Sequence, residues 1–172
     1  MSRNAAVLAV LMLCAPPHSL FAAEKLYIQD PAAIDLDAGI DPAVREQCKL
    51  GERLSFFLQQ NIKKQFDVIA SPTLEDAGDA KALSLIVQNA QGDASGGAWF
   101  GRKGVTLRGT LSQNGKVIAS FNARRRSTGG VLGPFKEGCE IFDRCVNALA
   151  EDVAQWLEQP RTDAWLGELR EK

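Results

Sequence analysis

Histidine is the residue type with which a chain most readily builds a catalytic or metal site, and this sequence has only one. His18 lies in a segment that we expect to be removed with an export signal. A mature chain without imidazole lacks the commonest general base and a common nitrogen ligand of zinc. Mechanisms that use a Ser–Lys pair, a thiol or two carboxylates stay open. The sequence therefore predicts neither histidine-dependent catalysis nor a histidine-ligated metal.

Paired carboxylates are a second possible source of chemistry. Asp35 and Asp37 lie in one predicted loop, and Asp76 and Asp79 lie in another. Neither pair fits the oxygen-ligand pattern of a calcium loop, and the chain has no Gly-x-Ser-x-Gly motif and no phosphate-binding Gly-x-x-x-x-Gly-Lys-Ser/Thr motif. We interpret these acids as solvated loop residues, and we predict no catalytic residue, no metal site and no cofactor.

Three cysteines, Cys48, Cys139 and Cys145, follow the predicted export signal. If Cys139 and Cys145 were both helical, their Cα atoms would stand roughly 9 Å apart, whereas a disulfide spans at most about 6.8 Å. A bridge between these two would require Cys139 to lie in a loop and fold back. We favour the long-range pair Cys48–Cys139, with Cys145 buried and free. The absence of Cys-x-x-Cys argues against a thioredoxin-like redox role.

Positive charge is concentrated in the middle of the chain, although the formal net charge of all 172 residues is only -1. Residues 94–138 have a strong excess of Lys and Arg, while 24–93 and 139–172 are net acidic. Arg124 and Arg126 end a predicted strand and should point to its open face. This region could face an anionic partner, or it could be a solvated, aggregation-resistant end of the sheet. The candidate residues for binding an anionic partner are Arg102, Lys103, Arg108, Arg124, Arg125 and Arg126.

An aromatic pair, Trp99 and Phe100, is a second candidate contact because it lies between glycines and precedes two cations. Exposed rings beside cations on a loop suit a protein partner or a membrane surface. The alternative is that both rings fold back over the sheet. The pattern is too short to indicate nucleic-acid binding.

Residues 1–23 have the order of a cleavable export signal. Arg3 precedes an apolar run, a proline pair ends that run, and the small residues Ala22 and Ala23 follow. The run of about 11 residues is too short to cross a bilayer, which needs roughly 20. No other stretch of the sequence is long and apolar enough to do so. We therefore expect a periplasmic or secreted chain, cleaved near Ala22-Ala23.

Two alternatives to a cleaved signal are a buried N-terminal helix and lipid attachment at Cys14. The prolines after the apolar run argue against the helix. Lipoprotein signals have a small residue before the cysteine, and the bulky Leu13 at this position argues against lipidation.

The elements that must position these side chains follow from apolar periodicity. Asp41 and Pro42 indicate a helix start, and apolar residues then recur with helical spacing. Alternating apolar residues predict strands, and Asn114-Gly115 predicts a hairpin turn. The predicted elements are strands at 25–28, 66–70, 82–90, 105–111 and 117–123, helices at 42–65 and 140–158, and a short frayed helix in 162–170 around Trp165 and Leu166.

The hairpin register has two solutions. A two-residue turn would place Leu111 opposite Ile118 and set the apolar rows of the two strands on different faces. A three-residue loop over 113–115 places Leu111 opposite Val117, so that both apolar rows share one face. We predict the second register.

Together these elements predict a two-layer α+β sandwich in β-α-β-β-β-β-α order. A mostly antiparallel sheet of four to five strands is covered on its apolar face by two main amphipathic helices. We expect a signal peptide at 1–23, a single α+β domain at 24–160 and a short C-terminal tail at 161–172.

Three segments give the chain a layout similar to the amino-terminal αβ domain of TolB and its relatives among outer-membrane assembly lipoproteins. They are the helix VREQCKLGERLSFFLQQNI, the hairpin VTLRGTLSQNGKVIASFNA and the closing helix CEIFDRCVNALAEDVAQWL. The similarity covers about residues 40–158 at the level of pattern. By this pattern the chain resembles small exported bacterial envelope proteins.

The function predicted from these features is that of a non-enzymatic envelope protein, a binding or assembly accessory module that acts through its basic hairpin region. Its partner would be an envelope protein or an anionic envelope component, either lipid head groups or a glycan. Export and net acidity argue against nucleic acid. One alternative is a small histidine-independent hydrolase or isomerase that uses carboxylates or Cys145. Another is a carrier with a small-ligand pocket between sheet and helices.

Overall fold

The fold is built on one mixed β-sheet. The structure, a computed structural model, describes residues 23–94, 101–132 and 135–169. Its strands are β1 (Glu24–Gln29), β2 (Ala33–Ile34), β3 (Phe66–Ser71), β4 (Lys81–Gln91), β5 (Lys103–Gln113), β6 (Lys116–Ser127) and β7 (Ala164–Gly167). The helices are α1 (Pro42–Gln47), α2 (Leu50–Ile62) and α3 (Gly138–Glu158). The order across the sheet is β3-β1-β4-β5-β6-β7, and β2 also pairs with β4.

The predicted α+β class is confirmed, but the sheet has seven strands instead of four to five and a different strand order. The antiparallel β4-β5-β6 meander agrees with the prediction. β1 is parallel to both of its neighbours, β3 and β4, and β7 is parallel to β6. Parallel neighbours are joined by long connections rather than by tight turns, so no turn motif in the sequence signals them.

α2 and α3 pack against each other and against one face of the sheet. Leu54 and Leu58 of α2 and Leu149 and Val153 of α3 are fully buried, and so is Leu107 on the sheet beneath them. This apolar layer is the core of the molecule. In the described ranges, no helix is both long enough and apolar enough to cross a membrane.

The helix predicted over 42–65 is in fact two helices, α1 and α2. The start is as predicted, with Pro42 in the first turn and the Asp41 carboxylate accepting hydrogen bonds from two backbone N–H groups of that turn. Lys49 adopts a left-handed conformation with φ 46° and separates the two helices. Apolar residues are buried on both sides of this break. Hydrophobic periodicity continues across it and could not reveal it.

The predicted disulfide between Cys48 and Cys139 is confirmed. It joins the segment between α1 and α2 to the first turn of α3, across a sequence separation of 91. Close to it, Arg53 of α2 donates two hydrogen bonds to Asp143 of α3, at 2.9 and 2.8 Å. A covalent link and an ion pair therefore both hold the N-terminal part of α2 against that of α3.

The third cysteine, Cys145, is free and buried, as predicted. Its thiol donates a long hydrogen bond of 3.5 Å to the carbonyl oxygen of Lys103 in β5. Burial, with a further contribution from the negative charge of Glu168, raises the pKa of the Cys145 thiol to about 12. The thiol is therefore protonated at neutral pH.

The turn between β5 and β6 differs from the predicted three-residue loop. Asn114 and Gly115 both have positive φ, 52° and 70°, and form a two-residue turn. One extra residue, Ile118, bulges from β6, so Leu111 pairs with Ala119 and the predicted register is wrong. From Ala119 onward both apolar rows nevertheless share the buried face as predicted, because the bulge restores the alternation that a two-residue turn alone would break. Val117, which we expected on the same buried face, precedes the bulge and is exposed.

Residues 164–167, which we expected in a C-terminal tail with a short helix, form strand β7 instead. Just before the strand, Ser120 and Asp163 exchange two hydrogen bonds of 3.0 and 2.9 Å. Leu166 is buried in the core. Pairing with β6 both buries this side chain and satisfies backbone groups that a frayed helix would leave in water.

Reduction of the Cys48–Cys139 disulfide should lower the free energy of unfolding by about 2–5 kcal/mol, because the bridge closes a long loop in the unfolded chain. Urea unfolding followed by tryptophan fluorescence, with and without reductant, measures this change. A Cys48→Ser/Cys139→Ser double variant is the control and should not respond to reductant. The prediction would be contradicted if reductant left the unfolding midpoint of the wild-type protein unchanged.

Replacement of Gly109 should destabilise the sheet, since this residue pairs with Phe121 and a Cβ here would overlap the phenylalanine ring. That ring packs edge-on against Trp156 of α3, with 4.7 Å between centroids, and has little room to move. We expect Gly109→Ala to lower the free energy of unfolding by about 1–3 kcal/mol. Gly39→Ala is the matched control, because a Cβ there meets no atom within 4 Å. Equal stability of the two variants in urea would show the prediction to be wrong.

Cys145 should react with iodoacetamide at neutral pH at least about a hundredfold more slowly than an exposed cysteine, since both its burial and its raised pKa suppress the thiolate. In concentrated guanidinium chloride it should react at the normal rate. Mass spectrometry of the alkylated peptide, with Cys145→Ala as control, identifies the modified residue. Rapid labelling of the native protein at Cys145 would contradict this result.

Candidate functional site

The face of the sheet opposite α2 and α3 is open along β4, β5 and β6. Its side chains alternate with the buried ones and are exposed or half-buried. Most of them are polar. They include Ser84, Ile86 and Asn89 on β4, Thr106, Arg108, Thr110 and Ser112 on β5, and Val117, Ser120, Asn122, Arg124 and Arg126 on β6.

One row of side chains crosses this open face from strand to strand. The pairing register places Ile86 beside Arg108, Arg108 beside Asn122, and Asn122 beside Trp165. Because directly paired residues point to the same face of a sheet, the four side chains form a continuous line over β4, β5, β6 and β7. We call this line the open-face row. Arg108 is exposed, and Trp165 has 53% of its surface in solvent.

The backbone of β7 holds Trp165 in place at the end of the row. The next side chain, Leu166, is anchored in the core, and the N–H of Glu168 donates a 2.9 Å hydrogen bond to the carbonyl oxygen of Arg124. Gly167 has φ 64°, and a Cβ at this position would overlap that same carbonyl oxygen. The close approach of β7 to β6 therefore depends on glycine here.

Arg124 lies one row away from Arg108 on the same face, where it pairs with Thr106. It is a diagonal neighbour of Arg108, and diagonal neighbours in a sheet lie about 7–8 Å apart. Neither arginine forms an ion pair with a carboxylate of the described ranges. Two guanidinium groups thus share the open face without an ion pair in the described ranges, and the negative charge of Glu168 acts on Arg124 from a longer distance.

Lys103 does not belong to this surface, although we expected it among the residues that bind an anionic partner. Its side chain is only 1% exposed. The ammonium group donates hydrogen bonds to the backbone and side-chain oxygens of Asp93, at 2.7 and 3.0 Å, and lies over the ring of Phe142. The residue points to the helix side of the sheet, where burying a cation requires such partners.

Two further candidates, Arg125 and Arg126, are engaged within the molecule. Arg125 points to the helix side and forms a two-pronged ion pair with Asp152 of α3, at 2.7 and 2.6 Å, and this hydrogen bonding raises its pKa despite burial. Arg126 binds Glu168 at 2.7 Å. Burial acts to raise the pKa of Glu168, but hydrogen bonds from the Arg126 side chain and N–H outweigh it and lower that pKa. These pairs fasten α3 and the segment after β7 to β6.

The remaining predicted contacts are Arg102, Trp99 and Phe100. Arg102 is exposed just before β5. The aromatic pair lies outside the described residues. The structure therefore brings Arg108 and Arg124 together on the open face and separates them from Lys103 and Arg125.

Other regions of the described structure offer less chemistry. A cavity of about 300 Å³ lies beside Trp156, and two of its charged lining residues, Arg125 and Asp152, bind each other. A shallow groove of about 490 Å³ lies between the loop at Pro31 and the start of α2. Within the described ranges, no group of three side chains could hold a metal ion. The buried, protonated Cys145 does not line either cavity.

Sequence reasoning missed Trp165 and Asn122 as members of the site. We assigned Trp165 to a frayed helix, whereas strand pairing sets it beside Asn122. In the sequence, Ala164, Trp165 and Leu166 form a short apolar run after Asp163, and such a run suits a strand as well as a helix. No local signal indicates which strand it joins.

Comparisons with known proteins support the fold but assign no family. No protein-family model matches the chain, and no curated protein matches it. A neuraminyllactose-binding hemagglutinin homologue from Helicobacter pylori has a similar structure, with 11% identity and a TM-score of 0.52 over 80% of this chain and 84% of that one. The PelC dodecamer of Paraburkholderia phytofirmans has 13% identity and a TM-score of 0.46 over 75% and 87%. A Xanthomonas campestris protein of the DUF330 family has 13% identity and a TM-score of 0.48 over 81% and 88%.

At these identities the comparison speaks to the fold alone. The Helicobacter pylori structure shares the arrangement of sheet and helices over most of both chains. The similarity to the TolB amino-terminal domain stays a prediction. The chain is thus an α+β protein in which a disulfide links the helix pair. One face of its sheet is open and carries arginine and tryptophan side chains.

Proposed function

We propose that this chain is an exported, non-enzymatic binding module of the cell envelope, and that it binds an anionic component through the open face of its sheet. The observation that carries the proposal is the placement of Arg108 and Arg124 on that face, where neither forms an ion pair with a carboxylate of the described ranges. Guanidinium groups bind carboxylates and phosphates with two parallel hydrogen bonds. Neighbouring cations on one surface also attract anions over a longer range.

The position of these arginines on strands supports a binding role. Both lie within long, paired strands, so the backbone that carries them is rigid. A ligand that binds them does not have to order a loop, which lowers the entropic cost of association.

The cellular location is part of the proposal. The predicted signal at 1–23 and the long-range Cys48–Cys139 disulfide both suit an oxidising compartment such as the periplasm. An enzyme built on Cys145 is a weaker hypothesis, because the thiol is buried and protonated at neutral pH. We therefore favour a role in binding over a role in catalysis.

The test compares two double variants that lose the same charge. Arg108→Gln/Arg124→Gln removes the open-face cations, and Lys64→Gln/Lys116→Gln removes two exposed cations elsewhere. Binding is measured to polygalacturonate, polyglutamate and phosphatidylglycerol vesicles. We expect binding to at least one probe, weakening as salt shortens the Debye length to about 8 Å or less, and a loss of about tenfold or more in the arginine variant only.

Two outcomes would overturn the proposal. One is that the wild-type protein binds none of the three anionic probes at low salt. The other is that the two double variants bind equally well, since attraction would then reflect net charge rather than the open face. Thermal unfolding of both variants checks that neither result comes from a loss of folding.

A further inference from the structure

The exposed tryptophan of the open-face row requires a separate explanation. Trp156, on α3, is buried, and its indole N–H donates to the carbonyl oxygen of Arg161. Trp165 instead leaves 53% of its surface in solvent, although Leu166 beside it is buried. A large aromatic ring that a rigid strand holds in water is typical of a binding surface.

We infer that the anionic component is a saccharide chain that carries carboxylate groups, and that it lies along the open-face row with one sugar ring stacked on Trp165. This inference rests on the proposed function and specifies its ligand. An aromatic ring has a negative face, and the C–H groups on the flat side of a sugar ring are weakly positive, so the two stack. A stacked sugar needs no loop to enclose it.

The rest of the row suits the other groups of such a chain. Asn122 lies one strand away from Trp165 and offers both an amide donor and an acceptor for sugar hydroxyl groups. Arg108 lies one strand further and offers the two-pronged donor that a carboxylate accepts. With strands about 4.8 Å apart, the row spans about 10 Å from Trp165 to Arg108. A ligand longer than one sugar unit is needed to reach both ends.

The rows on either side of the open-face row add further groups that can bind a charged saccharide. Arg124, diagonal to Arg108, gives a second site that can bind a carboxylate. Thr106 and Thr110 place hydroxyl groups on either side of Arg108 along β5. Polar side chains that can both donate and accept suit the many hydroxyl groups of a saccharide.

A set of probes that differ in one property at a time tests the inference. Oligogalacturonate carries carboxylates on sugar rings, polyglutamate carries carboxylates without sugar, malto-oligosaccharide carries sugar without charge, and phosphatidylglycerol vesicles carry lipid phosphate. Isothermal titration gives the affinity, and tryptophan fluorescence reports on the indole rings. We expect oligogalacturonate to bind tightest and to quench the fluorescence.

Substitutions at Trp165 separate stacking from charge. Trp165→Ala should weaken oligogalacturonate binding by about tenfold and leave polyglutamate binding unchanged. Trp165→Phe, which keeps an aromatic face, should restore most of the affinity. Phe56→Ala is the matched control, because Phe56 is a half-exposed aromatic residue of α2, which packs on the opposite face of the sheet. Because Trp165 is half in solvent, the variant should fold, and its unfolding temperature verifies this.

The outcomes distinguish this inference from the proposal on which it rests. Polyglutamate or the vesicles could bind through Arg108 and Arg124 at least as tightly as oligogalacturonate does. In that case the ligand is not a saccharide, and the anion-binding function stands. If Trp165→Ala binds oligogalacturonate as tightly as wild type, the stacking is wrong. If no anionic probe binds, both the inference and the proposed function fail.

Discussion

Burial of one face of the sheet under α2 and α3 is the constraint on which the rest of the structure depends. The apolar residues of β4, β5 and β6 alternate with polar ones, so covering one set with helices necessarily presents the other set to solvent. The Cys48–Cys139 disulfide and the Arg53–Asp143 ion pair keep the two helices together over that layer. The composition of the open face is thus a direct result of how the core is packed.

The same packing divides the basic residues into two groups with different roles. Lys103 and Arg125 point to the helix side, where they form ion pairs with Asp93 and Asp152. Arg108 is on the other side and has no described acidic partner. A count of charges along the chain treats all of these residues alike. Only strand alternation and tertiary pairing separate the cations that stabilise the fold from the cations that remain for a ligand.

Local features of the fold could be predicted from the sequence, because each has a local cause. The Asp41 cap, the alternation in β5 and β6, and the stripe of α3 all follow from side chains close together along the chain. Helix geometry argues against a helical Cys139–Cys145 pair and so favours a bridge from Cys48, but it does not decide whether Cys139 or Cys145 is the partner.

Features set by distant contacts could not be predicted. The parallel pairings of β1 and β7 join segments that no tight turn connects, and the left-handed residue at Lys49 leaves the apolar pattern unbroken. Of the four residues in the open-face row, only Arg108 was predicted as a binding residue. Arg108 comes from the hairpin, whereas Trp165 reaches the row only through the long-range pairing of β7.

The single extra residue at Ile118 has a consequence for how this hairpin can vary. Every side chain of β6 beyond the bulge owes its side of the sheet to that one insertion, including Phe121 in the core and Asn122 in water. Loss of one residue between Leu111 and Ala119 would exchange the inner and outer sets along the whole strand. A length change of one residue near this turn therefore keeps both faces only if a bulge or a different loop compensates for it, whereas adding or removing one residue on each strand leaves both faces as they are.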